Sequence, residues 1–164
     1  MSSSPRTAVG FEAWNETAAR AIAARFAKMP GGLIPALHAM QSAFGFVPQP
    51  SIAILADAFN LSRAEVHGVA HFYHDFRHDG PPGRRVLKLC RAEACQAVGS
   101  GALADMVRRR LKVNWGETGV DGEWTLEQTF CLGLCACGPA AMLDGRPLAR
   151  LDEEKLAALL DGAR

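Results

Sequence analysis

Arg85-Val-Leu-Lys-Leu-Cys90 and Trp124-Thr-Leu-Glu-Gln-Thr-Phe-Cys131 are two short, largely apolar segments that each run into a cysteine. Residues Arg85 to Leu89 have the length and apolar content of a buried strand. In the second segment Trp124, Leu126, Gln128 and Phe130 alternate with Thr125, Glu127 and Thr129, the period of a strand with two different faces. Between them Leu103, Met106, Val107 and Leu111 recur at helical spacing. Strand, helix, strand reads as an α/β unit, and open α/β sheets place their sites at the C-terminal ends of strands. Each strand delivers a cysteine there, and a second cysteine follows each: Cys95 after Cys90, and Cys135 after Cys131.

The resulting spacing is C-x4-C-x35-C-x3-C. Two thiolates for each iron is what a [2Fe–2S] cluster needs, and paired cysteines on two loops supply them. A structural zinc ion is the rival reading, but its ligands usually come as C-x2-C, a knuckle suited to one tetrahedral ion. A disulfide framework needs an oxidising compartment and usually a smaller chain. A four-thiolate cluster carries net negative charge. Gly133 and Gly138 permit close approach of backbone donors to sulfur, or serve as simple turns, while Lys88 and Arg91 flank the first ligand with positive charge. Pro139 fixes the exit of the second loop. The fifth cysteine, Cys137, is either a small buried hydrophobe or a stand-in for Cys135.

Outward from this unit the chain changes character at Gly80-Pro-Pro-Gly83. Four helices are expected before it. Ala18, Ile22, Phe26 and Met29 mark the first, with Arg20 and Lys28 in water, and Met29-Pro-Gly-Gly32 stops it. Leu33, Leu37, Met40 and Phe44 mark the second, with Pro35 in its first turn. Ile52, Leu55, Ala56 and Phe59 mark the third. The fourth opens at Ser62, where Glu65 completes a capping box, and presents Val66, Val69, Ala70 and Tyr73 inward. Short links make these an antiparallel helical unit. After the second cysteine pair, Asp144-Gly145 joins two short strands as a hairpin, and Asp121-Gly122 is a turn. Asp152 caps a last helix carrying Leu156, Leu159 and Leu160. The expected organisation is a tail over 1–10, a four-helix unit over 11–79 and an α/β domain over 84–164.

The bulk numbers exclude several function classes. The 164 residues include 49% hydrophobic and 21% charged side chains, with a net charge of +1. That is an ordinary soluble composition, with no basic field for nucleic acid and no apolar run long enough to span a membrane. Met1-Ser-Ser-Ser-Pro-Arg6 lacks the apolar core of a secretory signal, and five cysteines without an export signal point to the reducing cytoplasm.

Three other patterns carry little. His67, His71, His74 and His78 fall on one face of the expected fourth helix, as a metal site or, preferably, a polar interface with some pH sensitivity. Gly99-Ser-Gly-Ala-Leu-Ala104 matches a dinucleotide loop in letters but not in context, and Ser100 as a helix cap explains it more simply. Trp14, Trp115 and Trp124 form no stripe. There are residues here to carry electrons, and no Ser–His–Asp or Walker motif at which a substrate would react.

The layout resembles the thioredoxin-like [2Fe–2S] ferredoxin family, which includes the peripheral [2Fe–2S] subunit of respiratory complex I. The residues that carry the likeness are Leu33-Ile-Pro-Ala-Leu-His38, Phe44-Gly-Phe-Val-Pro48, Phe72-Tyr73 and both cysteine pairs. The resemblance implies an N-terminal helical bundle followed by a thioredoxin-like α/β domain. It also implies Cys90, Cys95, Cys131 and Cys135 as ligands of one [2Fe–2S] cluster, with Cys137 outside the set. Leu61-Ser-Arg-Ala-Glu-Val-His-Gly68, Cys90-Arg-Ala-Glu-Ala-Cys-Gln96 and Cys131-Leu-Gly-Leu-Cys-Ala-Cys-Gly-Pro139 are most similar to the gamma subunit of cytoplasmic, molybdenum-containing, NAD-dependent formate dehydrogenases. That likeness implies a beta subunit holding FMN, the NAD site and a further iron–sulfur cluster, and an alpha subunit holding the molybdenum cofactor. Related subunits serve complex I and NAD-reducing hydrogenases, and a zinc-stabilised interaction module is the alternative of another class.

Overall fold

The structure, a computed structural model, describes residues 10–162; the expected tail over 1–10 therefore lies outside the described residues except for Gly10. The chain divides into two units, Met1–Pro81 and Pro82–Arg164, each with its own apolar core.

The first unit holds α1 (Glu16–Phe26), α2 (Leu33–Phe44), α3 (Ser51–Phe59) and α4 (Arg63–Phe72). Leu37, Met40 and Phe44 of α2 meet Leu55 of α3 and Val66 and Ala70 of α4 in its core. Helix α4 starts where its sequence says: the Ser62 side chain accepts from the Glu65 backbone N–H, and the Glu65 carboxylate accepts from the Ser62 backbone N–H at 2.8 Å. Gly45 ends α2 at a φ of 82°, a conformation that a glycine adopts without strain.

Two expectations fail at helix ends. Helix α1 stops at Phe26, so Met29 lies in the following turns and is half exposed, outside the apolar face assigned to it. Helix α4 stops at Phe72, with Tyr73 as an extended, exposed cap rather than a core residue. In both cases the apolar periodicity continues beyond the last residue that the backbone hydrogen bonds can hold in a helix.

The second unit holds β1 (Arg85–Cys90), α5 (Glu93–Ala97), α6 (Ser100–Leu111), β2 (Trp124–Thr129), β3 (Ala141–Leu143), β4 (Arg146–Leu148) and α7 (Glu153–Gly162). The sheet order is β2-β1-β3-β4, with β1 and β2 parallel, β3 antiparallel to β1, and β3 and β4 paired as a hairpin. A parallel neighbour requires a crossover, which α5 and α6 provide. Leu87 and Leu89 of β1, Leu126 of β2, Leu103 and Val107 of α6, and Leu156 and Leu160 of α7 form the core. Asp144 and Gly145 both adopt positive φ, 49° and 81°, as a two-residue hairpin turn demands. Asp152 accepts from the Lys155 backbone N–H at 2.8 Å and so caps α7. This is a helical unit followed by an α/β domain with a four-stranded sheet, the fold class expected.

Differences in this unit have local causes. Gly99, at a φ of 100°, takes the cap position of α6, so Ser100 is already helical and its buried hydroxyl makes no hydrogen bond. The two-faced alternation expected for β2 breaks at both ends. Thr125 is buried because its hydroxyl accepts from the Gly83 N–H and pairs with Thr118. Phe130 lies past the last strand residue and is exposed. No helix among the described residues is long and apolar enough to cross a membrane.

Because Leu126 is fully buried between β1 and the helices, Leu126→Ala is expected to cost about 2–5 kcal/mol of unfolding free energy. Urea denaturation should show a lower midpoint with an unchanged slope.

Candidate metal centre

Strands β1 and β2 pair in a parallel register that sets Cys90 opposite Thr129, so both strands end at the same edge of the sheet. The pairing continues one step further, because the Arg91 N–H donates to the Thr129 carbonyl at 2.8 Å. On the other side of β1, the Cys90 N–H donates to the Ala140 carbonyl at 3.0 Å. Both cysteine loops are therefore anchored to the backbone around Cys90. The side-chain alternation of β1 turns Leu87 and Leu89 into the main core and Cys90 to the opposite face. There Cys90, Cys95 and Ala140 form a separate buried cluster, covered by Ala92, Leu132 and Leu134.

The first loop turns at once into α5, whose third residue is Cys95. It is closed by the Gln96 side-chain amide, which donates to the Arg91 carbonyl at 2.6 Å. The second loop leaves β2 through Phe130 and reaches Cys135 at the start of a short 3-10 turn, Cys135–Cys137. Cys131 has a φ of 95°. For a residue with a side chain this conformation costs on the order of 1–3 kcal/mol and needs its surroundings to hold it.

The sulfurs stand as two pairs. Cys131 and Cys135 Sγ are 3.8 Å apart. Two thiolates at about 2.3 Å from one tetrahedral metal stand about 3.8 Å from each other, so this pair has the separation of two ligands of a single metal. In the other pair Cys95 donates to the Cys90 sulfur. Among the described residues no group of three His, Cys, Asp or Glu side chains is placed to hold one metal ion.

The titration of these thiols follows the same geometry. Burial alone would raise the Cys90 thiol. The backbone N–H groups of Ala92, Cys131 and Leu132, with the Cys95 thiol, outweigh burial and hold Cys90 below its ordinary value. Two of those N–H groups come from the opposite loop. Cys95 is pushed up, first by burial and then by its bond to Cys90, against a lowering contact from Ala140. Cys135 is also pushed up, first by donating to Cys131 and then by the charge of Cys131, with burial and the charge of Cys90 adding to it. The site thus stabilises negative charge on Cys90, as a metal-bound thiolate requires.

The glycines divide in role. The Gly133 N–H approaches the Cys131 sulfur at 3.4 Å, the close donor that its sequence position suggests. Gly138 supplies room instead: a Cβ there would lie 3.4 Å from the Cys95 sulfur and 3.0 Å from the Val98 side chain. Both flanking cations have partners of their own. Lys88 sits opposite Glu127 in the register and pairs with it at 2.9 Å, while the Arg91 guanidinium lies 5.4 Å from the centre of the Trp115 ring. Their charges are engaged within the sheet and on an aromatic face. Besides the Gly133 N–H at the Cys131 sulfur, the backbone N–H groups of Ala92, Cys131 and Leu132 act on Cys90; these three carry no residue signature, so sequence reading names only the glycine. Cys137 is half-buried at the end of the 3-10 turn, where its N–H donates to Leu134 and its carbonyl accepts from Arg150.

Residues 19–164 match the family model described as thioredoxin-like [2Fe-2S] ferredoxin. The chain belongs to that family. A subunit of the NADH-quinone oxidoreductase of Escherichia coli (strain K12) is 36% identical over 129 residues, which is 78% of this chain and 76% of that protein. A subunit of the same kind of enzyme in Rhizobium meliloti (strain 1021) is 35% identical over 144 residues, 88% and 85% of the two chains. NADP-reducing hydrogenase subunit HndA of Solidesulfovibrio fructosivorans is 31% identical over 113 residues, 69% and 66%. A crystal structure of an NAD+-reducing [NiFe]-hydrogenase in the air-oxidized state superposes with a TM-score of 0.68 at 30% identity, covering 80% of this chain. This chain spans only 22% of that hydrogenase chain.

Cys131 and Cys135 are exposed whereas Cys90 and Cys95 are buried. In the metal-free chain iodoacetamide is expected to modify Cys131 and Cys135 before Cys90 and Cys95, as read by peptide mass spectrometry. Equal rates at all four would contradict the buried placement of the first pair.

Proposed function

We propose that this chain is the electron-transfer subunit of an NAD-linked oxidoreductase, with Cys90, Cys95, Cys131 and Cys135 as the ligands of one [2Fe–2S] cluster. The single observation that carries the reading is the presentation of two sulfur pairs at one sheet edge, one of them 3.8 Å apart. When bound, such a cluster takes up and releases one electron at a time. The chain's own residues bind it and shape its surroundings. Backbone N–H groups from both loops bond the Cys90 sulfur, which favours the thiolate and raises the tendency to accept negative charge. Ala140, Leu132 and Leu134 keep the buried pair dry. Phe130 and the exposed second pair face solvent, leaving a short path for an electron to a partner.

The partner reading rests on the relatives. Curated relatives named as subunits of NADH-quinone and NADP-reducing enzymes match most of this chain. In the hydrogenase structure the matching part belongs to a chain several times longer. A carrier of this type fits beside a flavin- and NAD-binding iron–sulfur subunit, which divides a two-electron reaction into single-electron steps. The finer assignment is the gamma subunit of a cytoplasmic formate dehydrogenase, with FMN and NAD in a beta subunit and the molybdenum cofactor in an alpha subunit. The motifs Leu61–Gly68, Cys90–Gln96 and Cys131–Pro139 support it. The equivalent subunit of complex I or of an NAD-reducing hydrogenase is the second reading, favoured by the names of the relatives.

Purification of the tagged full-length chain from its native cells separates the two. The formate reading expects co-purified molybdenum and formate-dependent NAD reduction by the complex. Hydrogen- or quinone-linked NADH chemistry without molybdenum would assign the chain to one of the other complexes.

A further inference from the structure

The histidine series looks helical in the sequence but is not. His67 and His71 lie on α4, whereas His78 lies six residues past the helix end. The chain nevertheless returns His78 to the helix. The His67 and His71 rings stack at 3.8 Å between centroids and 17° between planes, and the His71 and His78 rings at 3.9 Å and 5°. His74 makes none of these ring contacts. The result is a column of three nearly parallel imidazoles, two from the helix and one from the segment that follows.

One hydrogen bond and one electrostatic contact set its ends. His71 Nδ1 is 3.0 Å from the His67 carbonyl, and the Ala70 carbonyl favours the charged form of the His78 ring. Ala70 belongs to the last turn of α4, where carbonyls have no partner within the helix. The His78 ring is thus brought to the C-terminal end of α4 from outside the helix.

The same segment has other ties, through backbone groups and an uncharged side chain. Gln41 of α2 donates to the Asp75 carbonyl at 2.8 Å and accepts from the Arg77 N–H at 2.7 Å. The Arg77 carbonyl accepts from the Val47 N–H at 2.8 Å. Phe76 is buried in the core of the first unit. These ties hold residues 75–77, and the His78 contact comes next, beside Gly80-Pro81-Pro82-Gly83, the connector between the two units.

We propose that His67, His71 and His78 form a proton-operated clasp, closed when the imidazoles are neutral, that fastens the start of the inter-unit connector to α4. Neutral imidazoles stack face to face, but two imidazoliums under 4 Å apart repel each other. His78 titrates below the ordinary value of a histidine, first because it is partly buried and then because His71 and, less strongly, His67 oppose its charge. The Ala70 carbonyl and Asp79 act the other way. Of the titratable side chains on the helices packed against α4, His38 lies on the Phe76 ring and Asp57 is exposed.

The folded state holds the His78 proton less readily than an unfolded histidine does, so folding with the clasp closed becomes less favourable as pH falls. The clasp is at full strength above the ordinary value of about 6.5 and weakens progressively below it. Acidification thus frees His78 to Gly80, while Gln41, Val47 and Phe76 still hold residues 75–77.

A pH titration of the full chain, followed by histidine ring and backbone amide NMR signals, tests this. His78 is expected to titrate below the ordinary histidine value, and the amides of His78, Asp79 and Gly80 should shift with the same midpoint while Phe76 and Arg77 hold still. His71→Phe keeps an aromatic ring in the column and removes one charge, so the His78 midpoint should rise. His78→Phe should abolish the pH response of the Asp79 and Gly80 amides. A wild-type His78 midpoint at or above the ordinary value, or an undiminished Asp79 and Gly80 response in His78→Phe, would overturn the clasp.

Discussion

The parallel pairing of β1 with β2, in the register that sets Cys90 opposite Thr129, is the constraint on which the site depends. Side chains alternate along a strand, so a slip of one residue would turn Cys90 into the core and Leu89 out of it. The register also carries the continuation from Arg91 to Thr129 that places the second loop beside the first. Leu87, Leu89 and Leu126 hold it from the core side, because their burial is lost in any other pairing. The apolar core thus fixes the sulfur positions without touching them.

Given that register, the protein's remaining task is electrostatic. Four thiolates at one edge repel each other, and side-chain cations are the obvious remedy. Here Lys88 is paired with Glu127 and Arg91 rests on Trp115. Backbone N–H groups, from Ala92 on one loop and from Cys131 and Leu132 on the other, act on Cys90. Fixed dipoles of this kind bring no net charge and cannot be titrated away, and they tie the charge of Cys90 to the conformation of the second loop. The positive φ of Cys131 belongs to the same arrangement, since it is the residue whose N–H turns toward Cys90.

Much of this was legible in the sequence where one residue type has one local use. Ser62 with Glu65 marked the start of α4, Asp144-Gly145 marked the hairpin, and the apolar stretch Arg85–Leu89 and the alternation over Trp124–Phe130 marked two strands. The cysteine spacing pointed to the cluster chemistry that the family match supports, and the ligand set that the family likeness implies is the proposal. What escaped was decided by tertiary context. Periodicity carried Met29 and Tyr73 past the ends of their helices, since a helix end depends on hydrogen bonds that the apolar pattern does not record. Four histidines at helical spacing became a three-ring column because the chain left the helix at Phe72 and folded back. Lys88 was read as a field source because the sequence does not show Glu127 across the ladder.

The most direct test of the central claim is the iron and acid-labile sulfide content of the purified chain, measured for the wild type and for each of the five single Cys→Ser variants. The account predicts equal iron and sulfide in the wild type, as a [2Fe–2S] cluster requires. It predicts loss or weakened retention in Cys90→Ser, Cys95→Ser, Cys131→Ser and Cys135→Ser, and unchanged content in Cys137→Ser. One zinc per chain with no sulfide would contradict the cluster, and a Cys137→Ser chain that loses iron while Cys135→Ser keeps it would contradict the ligand set.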